Sequence, residues 1–150
     1  MINTIRRATI DDVHVIAPLF DAYRVFYKQA SDIAGAIDFL QKRIQQNESA
    51  IFIAEDNGTA VGFVQLYPIF SSVGMSNAWL LNDLYVAEIA RGKGFADALL
   101  QTAQQFGADT KSRWLMLQTA VDNYAAQKVY ERNGWIKNES FFTYNFYPEK

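Results

Sequence analysis

Apolar positions recur at helical spacing near the start of the chain, where Val13, Ile16, Ala17, Phe20 and Tyr23 fall on one face. A short β-rich run over residues 2–7 precedes them, and Thr9 or Asp11 is placed to cap the helix. Pro18 lies inside this pattern and should bend the helix or delay its start. Ser31 and Asp32 open a second helix with Ile33, Ile37, Leu40 and Ile44 inward, and Asn47-Glu48-Ser49 closes it. The period then shifts to two. Residues 50–55 and 60–67 read as strands joined through Asp56-Asn57-Gly58, a hairpin signal. Residues 70–77 show no periodicity and read as a loop before a strand over 78–86. Leu99, Leu100, Ala103 and Phe106 mark the buried stripe of a third helix. A central strand over 114–119 and a fourth helix over 123–133 follow, and two closing strands from Trp135 onward are separated near Lys137-Asn138-Glu139. The predicted order is β-α-α-β-β-β-α-β-α-β-β, an α/β protein with an antiparallel front half and crossovers behind.

The strand ending at Val86 runs into a loop in which Gly92 and Gly94 open the Ala/Leu-rich third helix. The first amides of a helix have no intrahelical acceptor, and the helix dipole favours negative charge there. Glycine allows positive φ and close backbone approach, so this turn suits a phosphate ligand, with Arg91 and Lys93 adding charge. A P-loop is excluded because no glycine-lysine-hydroxyl triplet of the Walker type occurs. A dinucleotide fingerprint fits poorly, since Asp97 stands where its third glycine belongs. Arg91, Gly94 and Ala96 do satisfy the pattern of Gln or Arg, two residues, Gly, one residue, Gly or Ala. Farther on, Leu115-Met116-Leu117-Gln118-Thr119 is followed by Asn123 and by a helix ending in Tyr130-Glu131-Arg132-Asn133-Gly134. In order and spacing these two motifs resemble those of the GCN5-related N-acetyltransferases, and the resemblance extends over essentially the whole chain.

The resemblance implies an acyl-CoA N-acyltransferase fold, a twisted and mostly antiparallel sheet of about seven strands with about four helices. It implies acetyl-CoA as co-substrate and no metal. Strands ending at Val86 and Thr119 should splay so that the pantetheine arm threads between them, pairing with backbone groups of Leu84 and Val86. The cofactor residues it implies are Leu84, Tyr85, Val86, Arg91, Gly92, Lys93, Gly94, Phe95, Ala96, Asn123, Ala126 and Tyr130. Tyr130 matches the family tyrosine that protonates the departing sulfur. Asn123 matches a family residue on the pantetheine side of the site, a role compatible with capping its helix. Some family members, notably diamine and polyamine acetyltransferases, carry two acidic residues where this chain has Asn82-Asp83. Asp83 is therefore the candidate base or amine anchor, although strand alternation can turn it into the cleft or away from it. Glu88 is the other candidate base.

Composition narrows the setting. A chain of 150 residues, half of them hydrophobic, is expected to form a single domain. Zero cysteines exclude disulfides, zinc-thiolate sites and a cysteine acyl carrier. The single histidine, His14, makes no metal site and reads as a solvated helix residue. A net charge of −2 argues against a nucleic-acid partner, which needs a basic face. No apolar run reaches the ~18 residues of a membrane span, and cytoplasmic residence is the default expectation. The aromatic residues Tyr23, Phe26, Tyr27, Tyr67, Phe70 and Trp79 fall where the family places acceptor-binding elements. The leading expectation is acetyl transfer to a small cationic primary amine, without a covalent enzyme intermediate. A protein acceptor is the second, and a non-catalytic acetyl-CoA-binding module, disfavoured by Tyr130, is the third. A homodimer is the expected assembly.

Overall fold

The computed structural model describes residues 3–149. Ile2, at the head of the predicted first strand, lies outside them. Strand β1 (Asn3–Arg7) leads into a 3-10 turn at Ile10–Asp12, and helix α1 (Val13–Phe26) follows directly. A capping box joins them: the Thr9 hydroxyl accepts from the Asp11 amide, and the Asp12 carboxylate accepts from the Thr9 amide at 2.8 Å. Asp12 also receives both terminal nitrogens of Arg6, at 3.0 and 2.9 Å, which hold its carboxyl below the ordinary carboxylate range. Pro18 neither delays nor ends α1, which continues through it to Phe26. Helix α2 (Ile33–Gln45) is capped by Asp32, whose carboxylate accepts from the Gly35 amide at 2.9 Å. Asp21, buried on α1, fastens the connection by accepting from the Ser31 hydroxyl and the Asp32 amide, both at 2.7 Å.

Strands β2 (Ala50–Asp56), β3 (Thr59–Ser71), β4 (Ser76–Val86) and β5 (Leu115–Met116) complete one sheet in the order β1-β2-β3-β4-β5. All neighbours are antiparallel except β4 and β5, which run parallel. Asn57 and Gly58 both have positive φ, 53° and 82°, as a two-residue hairpin of matching twist requires. The loop predicted at 70–77 is a correction. The β3–β4 ladder continues to Ser71 opposite Ser76 and leaves only residues 72–75 as the turn. This tip projects beyond the core, with Phe70, Val73 and Met75 exposed, so burial imposed no alternation there although the backbone pairs.

The sheet buries both faces. On one, Phe52, Val64, Leu66 and Leu81 pack beneath Phe95, Leu99, Leu100 and Ala103 of helix α3 (Phe95–Asp109). On the other, Ile51, Ile53 and Phe63 meet Val13, Ile16, Phe20 and Leu40 of α1 and α2. The back half is sparser than expected. The strand predicted over 114–119 is reduced to Leu115–Met116, and it lies at the sheet edge rather than inside. Helix α4 (Tyr124–Arg132) follows, but the two closing strands are not formed, because residues 136–149 join no ladder among the described residues. The sheet thus has five strands, not seven. The fold is otherwise the expected mixed acyltransferase architecture. Among the described residues no helix is long and apolar enough to cross a membrane.

Candidate active site

An irregularity in β4 sets the geometry. Gln65 on β3 faces Asp83, whereas the next residue, Leu66, faces Leu81, so Asn82 is an extra residue, a β-bulge. Trp79 and Leu81 before the bulge, and Leu84 and Val86 after it, point to the core under α3. The bulge turns Asp83 to the opposite face, together with Tyr85, toward α1. There Asp83 is 2% exposed and accepts from the Gln65 side-chain amide and, at 2.7 Å, from that of Asn82. The Tyr23 hydroxyl, which donates to the Asn82 carbonyl at 3.1 Å, lies beside it. Burial pushes the Asp83 carboxyl above the ordinary range, while the Gln65, Asn82 and Tyr23 donors pull it back. Burial and the Asp83 charge likewise raise the Tyr23 and Tyr67 hydroxyls.

The outer edge of β4 is paired with β5 only at Trp79 with Leu115 and Leu80 with Met116. Beyond Leu80 the two chains part, and the expected splay is present. The Ala87 amide donates to the Val61 carbonyl on β3 at 2.7 Å, so alternation directs the backbone groups of Val86 and Leu84 to the open side. At the end of this edge the chain makes a 3-10 turn (Glu88–Ala90) and enters the glycine loop. Gly92 and Gly94 have φ of 80° and 86°, and an added Cβ at either would meet nothing within 4 Å. Glycine is thus required by backbone conformation, and the space over the loop is open. Gly94 is the N-cap of α3 and has no side chain to cap it; the first intrahelical bond runs from the Ala98 amide to its carbonyl. The amides of Gly94, Phe95 and Ala96 therefore have no acceptor inside the helix. Arg91 stands beside them, donating through Nε to the Val86 carbonyl at 2.9 Å, with its guanidinium 5.6 Å from the Tyr85 ring centroid. The Lys93 ammonium is instead 3.5 Å from the Asp56 carboxylate.

Helix α4 forms the facing wall. The Asn123 carboxamide oxygen caps it by accepting from the Ala126 amide at 3.3 Å. Half-buried Tyr130 packs at a tilt against Trp135, and its hydroxyl lies near Thr119. Burial and the nearby Tyr27 raise its pKa, so it remains a protonated donor at neutral pH. The wall is tied to α3 by Arg132, which donates to both Asp97 oxygens at 2.9 and 2.6 Å, and by the Asn133 amide at 2.7 Å. These donors hold the Asp97 carboxyl down at about 2.

Between these walls opens a cleft of about 540 Å³. Leu84, Tyr85, Val86, Arg91, Gly92, Gly94, Phe95, Ala96, Asn123, Ala126 and Tyr130 all line it, and Lys93 does not. Tyr23, Phe26 and Tyr27 line its mouth. Tyr67 instead lies near Asp83, Trp79 packs on Phe106 in the core, and Phe70 is in solvent at the hairpin tip. Asp83 sits behind Tyr23 rather than on the wall, and exposed Glu88 is not on the lining either. Sequence reasoning passed over Asp97 and Arg132, which line the cleft from α3 and α4. It also passed over Gln65, whose strand position gave no sign that it faces a carboxylate.

The open edge, bare amides, glycine loop and free volume fit a long phosphorylated thioester such as acetyl-CoA. Comparison with known proteins agrees. The chain is 46% identical over 140 residues to the uncharacterised N-acetyltransferase YhfO of Bacillus subtilis (strain 168), covering 93% of this chain and 94% of that protein. It is 38% identical over 115 residues to a probable acetyltransferase of Haemophilus influenzae, covering 76% and 79%. A crystal structure of a probable acetyltransferase superposes with a TM-score of 0.93 at 40% identity, over 98% of this chain and 99% of that one. The profile of the acetyltransferase (GNAT) family matches residues 16–135, and the chain belongs to that family as an acetyl-CoA-dependent acetyltransferase.

Proposed function

We propose that the enzyme acetylates a small cationic primary amine by direct transfer, with both substrates in the cleft together. The observation that carries this reading is the buried carboxylate of Asp83, placed behind the hydroxyl of Tyr23 at the aromatic mouth of the cleft. A carboxylate that burial drives upward is a better proton acceptor, and aromatic rings beside it suit an ammonium group. The acetyl-CoA bound here supplies an activated acyl group as a thioester. The amides of Gly94, Phe95 and Ala96, with Arg91, hold its pyrophosphate, and the backbone edge at Leu84 and Val86 pairs with its pantetheine amides. Asn123 bonds on the same side.

An alkylammonium of pKa ~10.4 must lose a proton before its nitrogen can attack. Tyr23 takes that proton on its oxygen as its own passes to Asp83, so the phenol is unchanged and the carboxylate ends neutral. Tyr130 gives its proton to the departing sulfur, and the attacking nitrogen sheds its second proton to solvent as the amide forms. Tyr130 then recovers a proton from solvent and Asp83 returns its own, so that one proton is released per turnover. No side chain carries the acetyl group. A panel of amines and peptides, mixed with acetyl-CoA while free thiol is followed, tests the reading. Diamines and polyamines are expected to turn over best. Turnover of peptides alone would replace the small acceptor with a protein, and an absence of thiol release with every acceptor would overturn the reading.

A further inference from the structure

Gln65 is a polar residue at a position where packing alone would favour an apolar one. It lies inside β3 between Val64 and Leu66, and all three are wholly buried. Alternation turns it to the same face as Phe63, beneath α1 and α2, directly opposite Asp83 on β4. Its carboxamide is only half used. Nε2 donates to Asp83 Oδ2, whereas Oε1 is buried and no donor among the described residues reaches it. A buried acceptor without a donor is destabilising, so the free end of this amide needs a physical reason. The other oxygen of the carboxylate, Oδ1, accepts from the Asn82 side chain, which is exposed.

We propose that Gln65 is the positioning residue for proton transfer at Asp83, its amide turning over as the carboxyl changes form. The inference rests on the role of Asp83 in the acetyl transfer proposed above. With the carboxylate ionised, Nε2 donates to Oδ2. When the proton from Tyr23 arrives on Oδ2, that oxygen becomes a donor, and a half-turn of the amide brings Oε1 to it as acceptor. The Tyr23 O–H bond breaks as the Oδ2–H bond forms, the ammonium reprotonates Tyr23, and nothing is oxidised or reduced. An amide bonded at both ends would be locked in one orientation. With Oε1 free, the turn gives up no bond beyond the one it replaces. The titratable and charged groups around the carboxyl are Tyr23 of α1, with Tyr27 at its side, Tyr67 of β3, and Arg43 of α2, which acts on Tyr67. Burial keeps Tyr23 and Tyr67 protonated through neutral pH, so the carboxyl is the group that titrates here in the acid range.

NMR on the full chain without ligand tests the turn directly. One Gln65 side-chain amide proton, assigned through bonds from its own backbone, should lie far downfield while it is bonded to Oδ2. It is expected to return to the position of a free amide with the same midpoint as the Asp83 carboxyl carbon. Gln65→Met keeps the length of the side chain and removes both ends of the amide. A bond to a carboxylate is stronger than one from a carboxylic acid, so the variant's carboxyl midpoint should rise by ~0.5–1 pH unit. The acid limb of kcat/KM for the amine should rise by the same amount, a ~3–10-fold loss of activity below both midpoints, with the acetyl-CoA KM unchanged. An amide proton that stays downfield while the carboxyl protonates would overturn the proposal, and this wild-type titration decides alone if the variant does not fold. A carboxyl midpoint unmoved by Gln65→Met would overturn it too, leaving Asp83 as the proton acceptor. A midpoint that moves while the activity limb stays in place would remove Asp83 from proton transfer, and the role of Gln65 would fall with it.

Discussion

Strands β2 and β3 pair along their lengths and send side chains into both cores, so that Ile53, Phe63 and Val64 are wholly buried. The wall opposite β4 is built otherwise. Strand β5 is two residues long, α4 buries no residue fully, and beside the half-buried Val129 and Tyr130 that reach the core, α4 is held to α3 by polar ties: Arg132 and Asn133 on Asp97, and the Gln101 amide donating to Asn133 at 2.9 Å. Exposed ion pairs of this kind contribute little each, whereas buried apolar area contributes steadily. The front half is thus a tightly packed scaffold, and the back half is a wall held by weaker ties. Local stability that differs across one fold in this way is what a binding cleft needs.

The difference between the two halves should show most strongly in stability. Phe63→Ala should cost ~3–5 kcal/mol in urea denaturation, whereas Val129→Ala, half-buried on α4, should cost about 1 kcal/mol. Equal costs would mean that the two halves are one uniformly packed unit. Function should respond in the reverse sense. Tyr130→Phe keeps the ring against Trp135 and removes only the hydroxyl, so kcat is expected to fall ~10²–10⁴-fold with little change in acetyl-CoA affinity. An unchanged kcat would assign thiolate protonation to water.

Gly94→Val tests the seam between the halves. The site has room for a side chain, but φ of 86° is strained for any L-residue, and a β-branched one would stand over the open amides. Acetyl-CoA should raise the Tm of the wild type and not that of the variant. Retained binding would move the phosphate site away from this loop.

What the sequence makes legible follows the same division. Thr9, Asp32 and Asn123 are readable as caps, and Asn57-Gly58 as a hairpin, because each acts through its own backbone neighbours. The glycine loop is readable for the same reason. The orientation of Asp83 is not, since it depends on where the bulge at Asn82 falls, which is a property of the β3–β4 register. The pairing of Lys93 with Asp56 is equally hidden, being a contact between residues distant in sequence. The aromatic alternation after Trp135 announces a strand, yet residues 136–149 join no ladder among the described residues.

Asp83→Asn probes the boundary between scaffold and wall. With Asp83 as proton acceptor, activity should rise with pH as its carboxyl ionises, above the ~3.9 of an unperturbed aspartate because burial shifts it upward. The variant should lose that limb, with kcat lowered; a raised amine KM alone would mark an anchor. Kinetics identical to wild type at every pH would leave Asp83 a structural partner of Gln65.

The smallest effect belongs to the tie within the wall. Asp97 is held at about 2 in the folded protein, below the ~3.9 of an unperturbed aspartate. The folded state therefore binds a proton less readily than the unfolded chain, and the stability this contributes is complete above about pH 4 and is lost as pH falls toward 2. Because Arg132 is largely in solvent, the contribution at neutral pH should stay below about 1 kcal/mol. Asp97→Asn should accordingly lower Tm slightly at pH 7 and flatten its decline between pH 4 and pH 2. The acetyl-CoA KM should respond more clearly than stability does, since Asp97 and Arg132 both line the cleft beside the glycine loop and position α4. A loss on Asp97→Asn as large as that of Phe63→Ala would show that the wall is as firmly built as the scaffold, and that the cleft is fixed before substrate arrives.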